Sequence, residues 1–515
     1  MAKLPKGVSL TAKSKPGYER ALTPEALAFV AQLHRAFEGE RQRLLALRAE
    51  RQKLFDKGAL PDFRAETAAI RSAAWKVAPI PAGLQDRRVE ITAPASRKEA
   101  IEAFNSGVKV YLADFGDSHS PTWDNMVQGQ INLMDRWTGK MEFVDPVSGK
   151  RLGLAGKPAV LMVRPRGLHL DEAHMRVDGK PAAGGLFDFG MYFFHNARTA
   201  IGKTSGPYFC LPQLESHLEA RLWNQIFIVA QSLLGLKLGT IKATALIETL
   251  PAAFEMDEII FELRDHMAGL GCGHAGFIFS FIKTFPGRKN FLLPDYPQIA
   301  SSEAFLAACS ALIVKTCHRR GCLAIGNAAS SEMKMQTAYE ARNGFDGTRL
   351  AHPDQVPAAL EIFNELMPTS NHLYVGRDDV KVGQKELLEI PEGKRTEAGF
   401  RENIRVSLRY MEAWLGGTGI VDSDNVTINT TSAEIARAQI WQWLKLQLPL
   451  AGGRKVTRKF FDSCLAEETV WLKQEIGAEA YANGRFKTAI SLLKSLTLSK
   501  TLAPFFTVAA YRHFR

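Results

Sequence analysis

Cysteine is scarce: six residues in a chain of 515, namely Cys210, Cys272, Cys309, Cys317, Cys322 and Cys464, without the regular spacing of a disulfide framework. The one close pair, in Cys317-His-Arg-Arg-Gly-Cys322, has no second pair at zinc-ligand spacing, so reduced and mostly buried thiols are expected. No apolar run approaches the roughly 20 residues that span a bilayer. The opening stretch, MAKLPKGVSLTAKSKPGYER, lacks the apolar centre of a signal peptide. The expectation is a soluble, cytoplasmic protein with no membrane partner. The net charge of +11 is spread along the chain, and no basic run with interleaved aromatics is present, so no nucleic-acid partner is expected. A phosphate-bearing ligand and a plain solvated surface fit that charge equally. Internal repeats and low-complexity segments are also lacking.

What is present is enough apolar material, 46% of residues against 23% charged, for a large core with accessory domains. Thr23-Pro24-Glu25 reads as an N-cap followed by proline at the first helical position, and Leu and Phe then recur every three or four residues to about Lys57. From about 88 to 375, short apolar runs alternate with helix-length segments, the pattern of parallel strands with crossover helices. The runs are Val108 to Phe115, Ala159 to Arg164, Tyr208 to Leu211, Thr240 to Ile247, Phe277 to Phe279 and Cys322 to Ile325. Asp114, Arg164, Glu215 and Glu248 fall at or just past the ends of successive runs. In a closed barrel those ends share one face, where active sites are built, so a TIM (β/α)8 barrel is favoured over a doubly wound sheet. After about 396 the pattern is helical again, through Phe400 to Leu415 and Ser432 to Leu448. The expected organisation is therefore an N-terminal helical clasp (1–87), the barrel (88–375) and a C-terminal helical domain (376–515).

Several long runs sharpen this reading. Ser205-Gly-Pro-Tyr-Phe-Cys-Leu-Pro212 is followed by Leu214-Glu-Ser-His-Leu-Glu-Ala-Arg-Leu-Trp223, and further on stands Gly239-Thr-Ile-Lys-Ala-Thr-Ala-Leu-Ile-Glu248. Val163-Arg-Pro-Arg-Gly-Leu-His169, Phe345-Asp-Gly-Thr348 and Ser432-Ala-Glu-Ile-Ala-Arg-Ala-Gln-Ile-Trp441 occur in the same collinear order. Together they resemble the malate synthase A family from about residue 20 onward. The resemblance implies a barrel site closed by the two helical regions. It also implies condensation of acetyl-CoA with glyoxylate, then hydrolysis of malyl-CoA with Mg²⁺. That chemistry requires an aspartate to deprotonate the thioester methyl, an arginine to stabilise the enolate, and a Glu and an Asp to hold the metal.

Carried over residue by residue, the arginine is Arg164 and the metal-ligating glutamate is Glu248, with Asp114 as a further ligand-binding candidate. The second metal ligand, expected in Gly-Arg-Trp-Asp-Tyr-Ile-Phe-Ser, falls on Gly276 in Gly273-His-Ala-Gly-Phe-Ile-Phe-Ser280, with His274 at the position of the motif's arginine. Mg²⁺ relies on one or two protein carboxylates, so a site left with Glu248 alone is weakened. The aspartate base, expected in Met-Glu-Asp-Ala-Ala-Thr-Ala-Glu-Ile, falls on Asn429, whose amide accepts no proton at neutral pH. Asp422 and Asp424 lie close in sequence as candidate substitutes. Asp-Phe-Glu-Asp-Ser appears as Asp114-Phe-Gly116-Asp117-Ser118, Leu-Pro-Lys as Leu211-Pro-Gln213, and Asp-Gly-Thr-Trp as Asp346-Gly-Thr-Arg349. The Gly-Gly-Met-Ala-Ala loop becomes Gly326-Asn-Ala-Ala-Ser-Ser-Glu-Met333.

Framework runs are kept while pocket positions change, which leads to the expectation of a repurposed enzyme. It would act on an acyl-CoA or other thioester, or on a 2-oxo acid, with no cofactor and with Mg²⁺ held weakly at Glu248. The alternatives are a pseudoenzyme that binds a metabolite or protein partner, and an atypical malate synthase with a displaced base.

Overall fold

The computed structural model describes residues 3–300, 304–328, 332–423 and 426–514. Eight parallel strands follow one another around a barrel: β1 (Val89–Pro94), β2 (Val110–Asp114), β3 (Val160–Arg164), β4 (Tyr208–Leu211), β5 (Lys242–Ile247), β6 (Met267–Cys272), β7 (Leu323–Ile325) and β8 (Thr348–Leu350). β8 pairs in parallel with β1, and a single bridge from Ile325 to Gly347 completes the ring between β7 and β8. The interior is filled by side chains of alternate residues, among them Val110, Leu112, Met162, Cys210, Leu246 and Ile325, as the pleat of a closed barrel requires.

Four of the six anticipated runs, and Tyr208–Leu211 unchanged, are barrel strands, shortened at their ends by at most two residues. The sixth reading is corrected: Phe277–Phe279 lies in a helix, His274–Thr284, and the strand before it is β6. β6 reads Met-Ala-Gly-Leu-Gly-Cys, whose two glycines weaken the strand signal that β-branched residues give. Packing demands both. A Cβ at Gly269 would lie 2.3 Å from the carbonyl oxygen of Leu323, and one at Gly271 would lie 2.7 Å from Leu246 Cδ2.

The N-terminal arm is built on α1 (Pro24–Asp56), capped by Thr23, whose Oγ1 accepts the Ala26 N–H at 3.2 Å. Its buried stripe of Leu27, Val30, Leu33 and Phe37 packs on the helices Gly184–Gly202 and His217–Leu233 outside the barrel. On the following turns Arg48 pairs with Glu219 at 2.6 Å and Arg51 with Glu215 at 2.7 Å.

The helix His274–Thr284 is α2, and the C-terminal region comprises α3 (Glu397–Leu415), the hairpin β9 (Ile420–Ser423) and β10 (Val426–Asn429), α4 (Thr430–Lys445), α5 (Arg458–Ile476) and α6 (Phe486–Thr497). It has its own core around Phe400, Leu408, Trp414, Trp443 and Phe461. α4 packs on both α3 and α2, which brings its N-terminus over the C-terminal ends of the barrel strands. Thr430 Oγ1 donates to the carbonyl of Asp117 at 3.0 Å, and lies 2.6 Å from the hydroxyl of Tyr410 on α3. Among the described residues no helix is long and apolar enough to cross a membrane.

Candidate active site

The register of the barrel assembles the site. Asp114 and Arg164 end β2 and β3 as direct Cα partners, and Glu248 follows the last residue of β5. Beyond β2 the chain turns sharply, so the Asp114 carboxylate accepts N–H bonds from Gly116 at 2.8 Å, Asp117 at 3.2 Å and Ser118 at 3.0 Å. That turn returns Asp117 to the same guanidinium. Arg164 donates from Nη1 to Asp114 Oδ2 at 3.0 Å, and from Nη2 to Asp117 Oδ2 at 2.5 Å and Glu248 Oε1 at 3.4 Å. Glu248 Oε1 also accepts the Gln213 N–H at 2.7 Å.

One guanidinium thus faces two buried carboxylates, Asp114 and Glu248, and the half-buried Asp117, and they do not share it equally. Burial raises the carboxyl of Asp114, but Arg164 and the loop N–H groups outweigh it and hold that group below its usual range. Burial pushes Asp117 above the usual range, with Arg164 opposing and the neighbouring Asp114 adding to the rise. Glu248 is raised for the same reasons, its repelling neighbour being Asp117.

Above this cluster lies a cavity of about 540 Å³ reaching from the barrel interior to the C-terminal region. Asp114, Arg164, Glu248, Gly276 and Asn429 all line it, so five of the six site residues anticipated from sequence converge. His274 does not. Its Nε2 lies 2.9 Å from Ser310 Oγ on the helix Phe305–Arg320, and desolvation lowers the imidazole to about 4. Residues 274 and 276 are about 200° apart around a helix, so only one of them can face Glu248. Glu215 is likewise drawn away, into ion pairs with Arg51 and Lys283, each at 2.7 Å. Asp422 is an exposed residue at the rim of the cavity, hydrogen-bonded at 3.0 Å by Thr427 Oγ1. Asp424, and residues 329–331 of the loop after β7, lie outside the described residues. Asp117 and Arg349 also line the cavity and were not singled out from sequence. Each stood inside a quoted motif, but nothing in the spacing shows that it points inward.

Asn429 has a local role of its own as the N-cap of α4: its Oδ1 accepts from Ser432 N at 3.0 Å and from Ser432 Oγ at 3.2 Å. Position 276 faces the retained glutamate, since a Cβ on Gly276 would lie 2.8 Å from Glu248 Cβ and 3.2 Å from Glu248 Oε2. A carboxylate there would be well placed to share a cation with Glu248, but glycine supplies no oxygen. Asp114 and Asp117 are engaged by Arg164, and among the described residues no three His, Cys, Asp or Glu side chains are grouped to hold a metal ion. These side chains do not fit a two-carboxylate Mg²⁺ site.

An eight-stranded parallel barrel with a buried arginine and acidic groups at its C-terminal mouth, under a helical cap, is the architecture of a TIM-barrel enzyme. Family models match as "Malate synthase, N-terminal domain" over residues 6–69, "Malate synthase, TIM barrel domain" over 160–390 and "Malate synthase, C-terminal" over 394–514. The malate synthase of Myxococcus xanthus (strain DK1622) is 49% identical over 520 residues, covering 98% of this chain and 96% of that protein. Malate synthase A of Escherichia coli (strain K12) is 43% identical over 510 residues, 96% of each chain. The malate synthase of Streptomyces clavuligerus is 43% identical over 525 residues, 98% of this chain and 97% of that protein. This chain belongs to the malate synthase family.

Proposed function

We propose that this chain is an altered member of the family: an enzyme that takes an acyl thioester or a 2-oxo acid at Arg164 without a paired-carboxylate Mg²⁺ clamp and without an aspartate base at 429. The observation that carries this reading is the vacancy of side chain opposite Glu248, where the Cβ direction of Gly276 points at the carboxylate but ends there. Arg164 is left as the charged donor at the mouth of the site. Three of its contacts go to carboxylates, and a guanidinium carries five N–H groups, so it has donors left for a carbonyl oxygen that gains negative charge during reaction.

Proton transfer falls to the carboxyls beside it. Burial raises the carboxyls of Asp117 and Glu248 above their usual range, which makes them the candidates to accept and return a proton. The same observation favours a second reading, a malate synthase whose base has moved from position 429 to one of these two groups.

The deciding experiment follows thiol release by the purified protein from acetyl-CoA with glyoxylate, with and without Mg²⁺, and from a panel of other acyl-CoA thioesters. Arg164→Lys, which keeps the charge but loses the fork, serves as control. Release from a thioester other than acetyl-CoA, independent of Mg²⁺ and reduced in Arg164→Lys, is the expected result. Mg²⁺-dependent release from acetyl-CoA plus glyoxylate would establish the second reading instead. A protein that turns over nothing in the panel would refute both and leave a binding role.

A further inference from the structure

The floor of the cavity carries a second guanidinium whose charge is not balanced. Arg349 lies on β8 in register with Glu90 on β1, and both project into the barrel, where Arg349 is 7% exposed. The single hydrogen bond of its side chain among the described residues runs from Nη2 to Glu90 Oε2 at 3.5 Å, and its Nε has no partner. Glu90 is already taken by Arg87, whose Nε donates to Oε1 at 2.6 Å while its Nη1 donates to Thr244 Oγ1 at 2.8 Å. Two further acids lie within electrostatic reach of Arg349, Glu248 at the mouth and Glu340, whose Oε1 accepts the Asn327 N–H at 2.8 Å and the Gln336 amide at 3.1 Å, but among the described residues neither is hydrogen-bonded to it. Two buried guanidinium groups therefore hydrogen-bond to one carboxylate, that of Glu90. The mouth is the reverse, with three carboxylates around one guanidinium.

The barrel makes room for this arginine. A Cβ on Gly271, across the interior, would lie 3.0 Å from Arg349 Nη2, so glycine at that position keeps the guanidinium where it is. A buried guanidinium with spare donors, lining a cavity and short of a negative charge, is a receptor for a carboxylate. At the mouth Arg164 already meets Asp114, Asp117 and Glu248, so its remaining donors suit a carbonyl oxygen.

We infer that Arg349 is the carboxylate-binding residue of the cavity, and that the ligand is a carbonyl compound bearing a carboxylate at its far end. The carboxylate sits on Arg349 at the floor and the carbonyl is directed toward Arg164 at the mouth. This inference rests on the reading of the cavity as a thioester or 2-oxo acid site and narrows it to one substrate class.

The test is equilibrium binding of two five-carbon probes, 2-oxoglutarate and 2-oxopentanoate, to the full chain by titration calorimetry. They differ only in the distal carboxylate. A charge-assisted hydrogen bond to a buried group implies that 2-oxoglutarate binds on the order of tenfold or more tightly. That preference should fall to about one in Arg349→Met and be partly kept in Arg349→Lys. Both variants should fold, because Glu90 retains Arg87, and unliganded melting curves verify it. Equal affinity of the two probes in the unaltered protein, or a preference that survives Arg349→Met, overturns the inference. If the probes bind equally and Arg164→Lys weakens both, the cavity reading stands without it; if neither binds, both readings fall.

Discussion

Replacing Arg164 by methionine removes the cation hydrogen-bonded to Asp114, Asp117 and Glu248. The side chains of Arg164, Asp114, Asp117 and Glu248 are 7%, 0%, 14% and 8% exposed, so water cannot take over the role of the guanidinium. Breaking a buried ion pair from one side costs about 3–5 kcal/mol when the remaining charge stays ionised. Asp117 and Glu248 already lie above their usual range with Arg164 present, and without it they rise further. A carboxyl whose folded value is raised binds more protons folded than unfolded, so stability falls as pH rises from the unfolded value, about 4, through the folded one. The penalty of Arg164→Met is therefore full at pH 8 and shrinks toward pH 5, by about 1.4 kcal/mol for each unit by which a group's value rises within that window. Urea denaturation of both proteins at pH 5 and pH 8, followed by tryptophan fluorescence, measures the difference. A penalty that is the same at both pH values, or below about 1 kcal/mol at pH 8, refutes the account of Arg164 as the cation that holds these acids.

Gly276→Asp combined with Asn429→Asp should give a folded protein that gains Mg²⁺ affinity and some Mg²⁺-dependent thiol release from acetyl-CoA with glyoxylate. Aspartate caps a helix as well as asparagine does, and the turn carrying position 276 must shift to admit a Cβ that would otherwise lie 2.8 Å from Glu248 Cβ and 3.1 Å from its carbonyl oxygen. A folded double variant with no magnesium affinity in a direct titration would show that 248 and 276 do not form a ligand pair. The six cysteines are all buried and unpaired, and burial pushes Cys210 to about 11, Cys272 to about 12 and Cys464 to about 11. A thiol reagent at pH 8 should accordingly label none of them in the native protein and all of them in urea, and rapid native labelling would contradict the packing around them.

Much of the barrel is legible in sequence because buried parallel strands read as short apolar runs, and five of eight do so. β6 is not legible, and Phe277–Phe279 reads as a strand in its stead, because the glycines of β6 serve close contacts with Leu323 and Arg349, and contact with distant residues leaves no local signal. β1 and β8 do not read as strands for a related reason: Val-Glu-Ile-Thr-Ala-Pro and Thr-Arg-Leu carry polar residues that face the barrel interior and cavity, where apolar ones are the usual marker. In the site, Arg164, Asp114 and Glu248 could be placed together because strand ends of a closed barrel share one face. His274 could not be excluded, since its direction depends on where α2 begins.

By itself the sequence determined five of the eight barrel strands, the helical character of the two flanking regions, the family, and which acids and amides stand at the positions of the family motifs, because these depend on residue type and spacing along the chain. Only the tertiary structure decided that Gly276 faces Glu248, that Asp117 turns back onto Arg164, and that Arg349 lies at the cavity floor with too little negative charge around it. Those facts depend on register across the barrel and on how burial apportions charge, and both are properties of residues far apart in the chain.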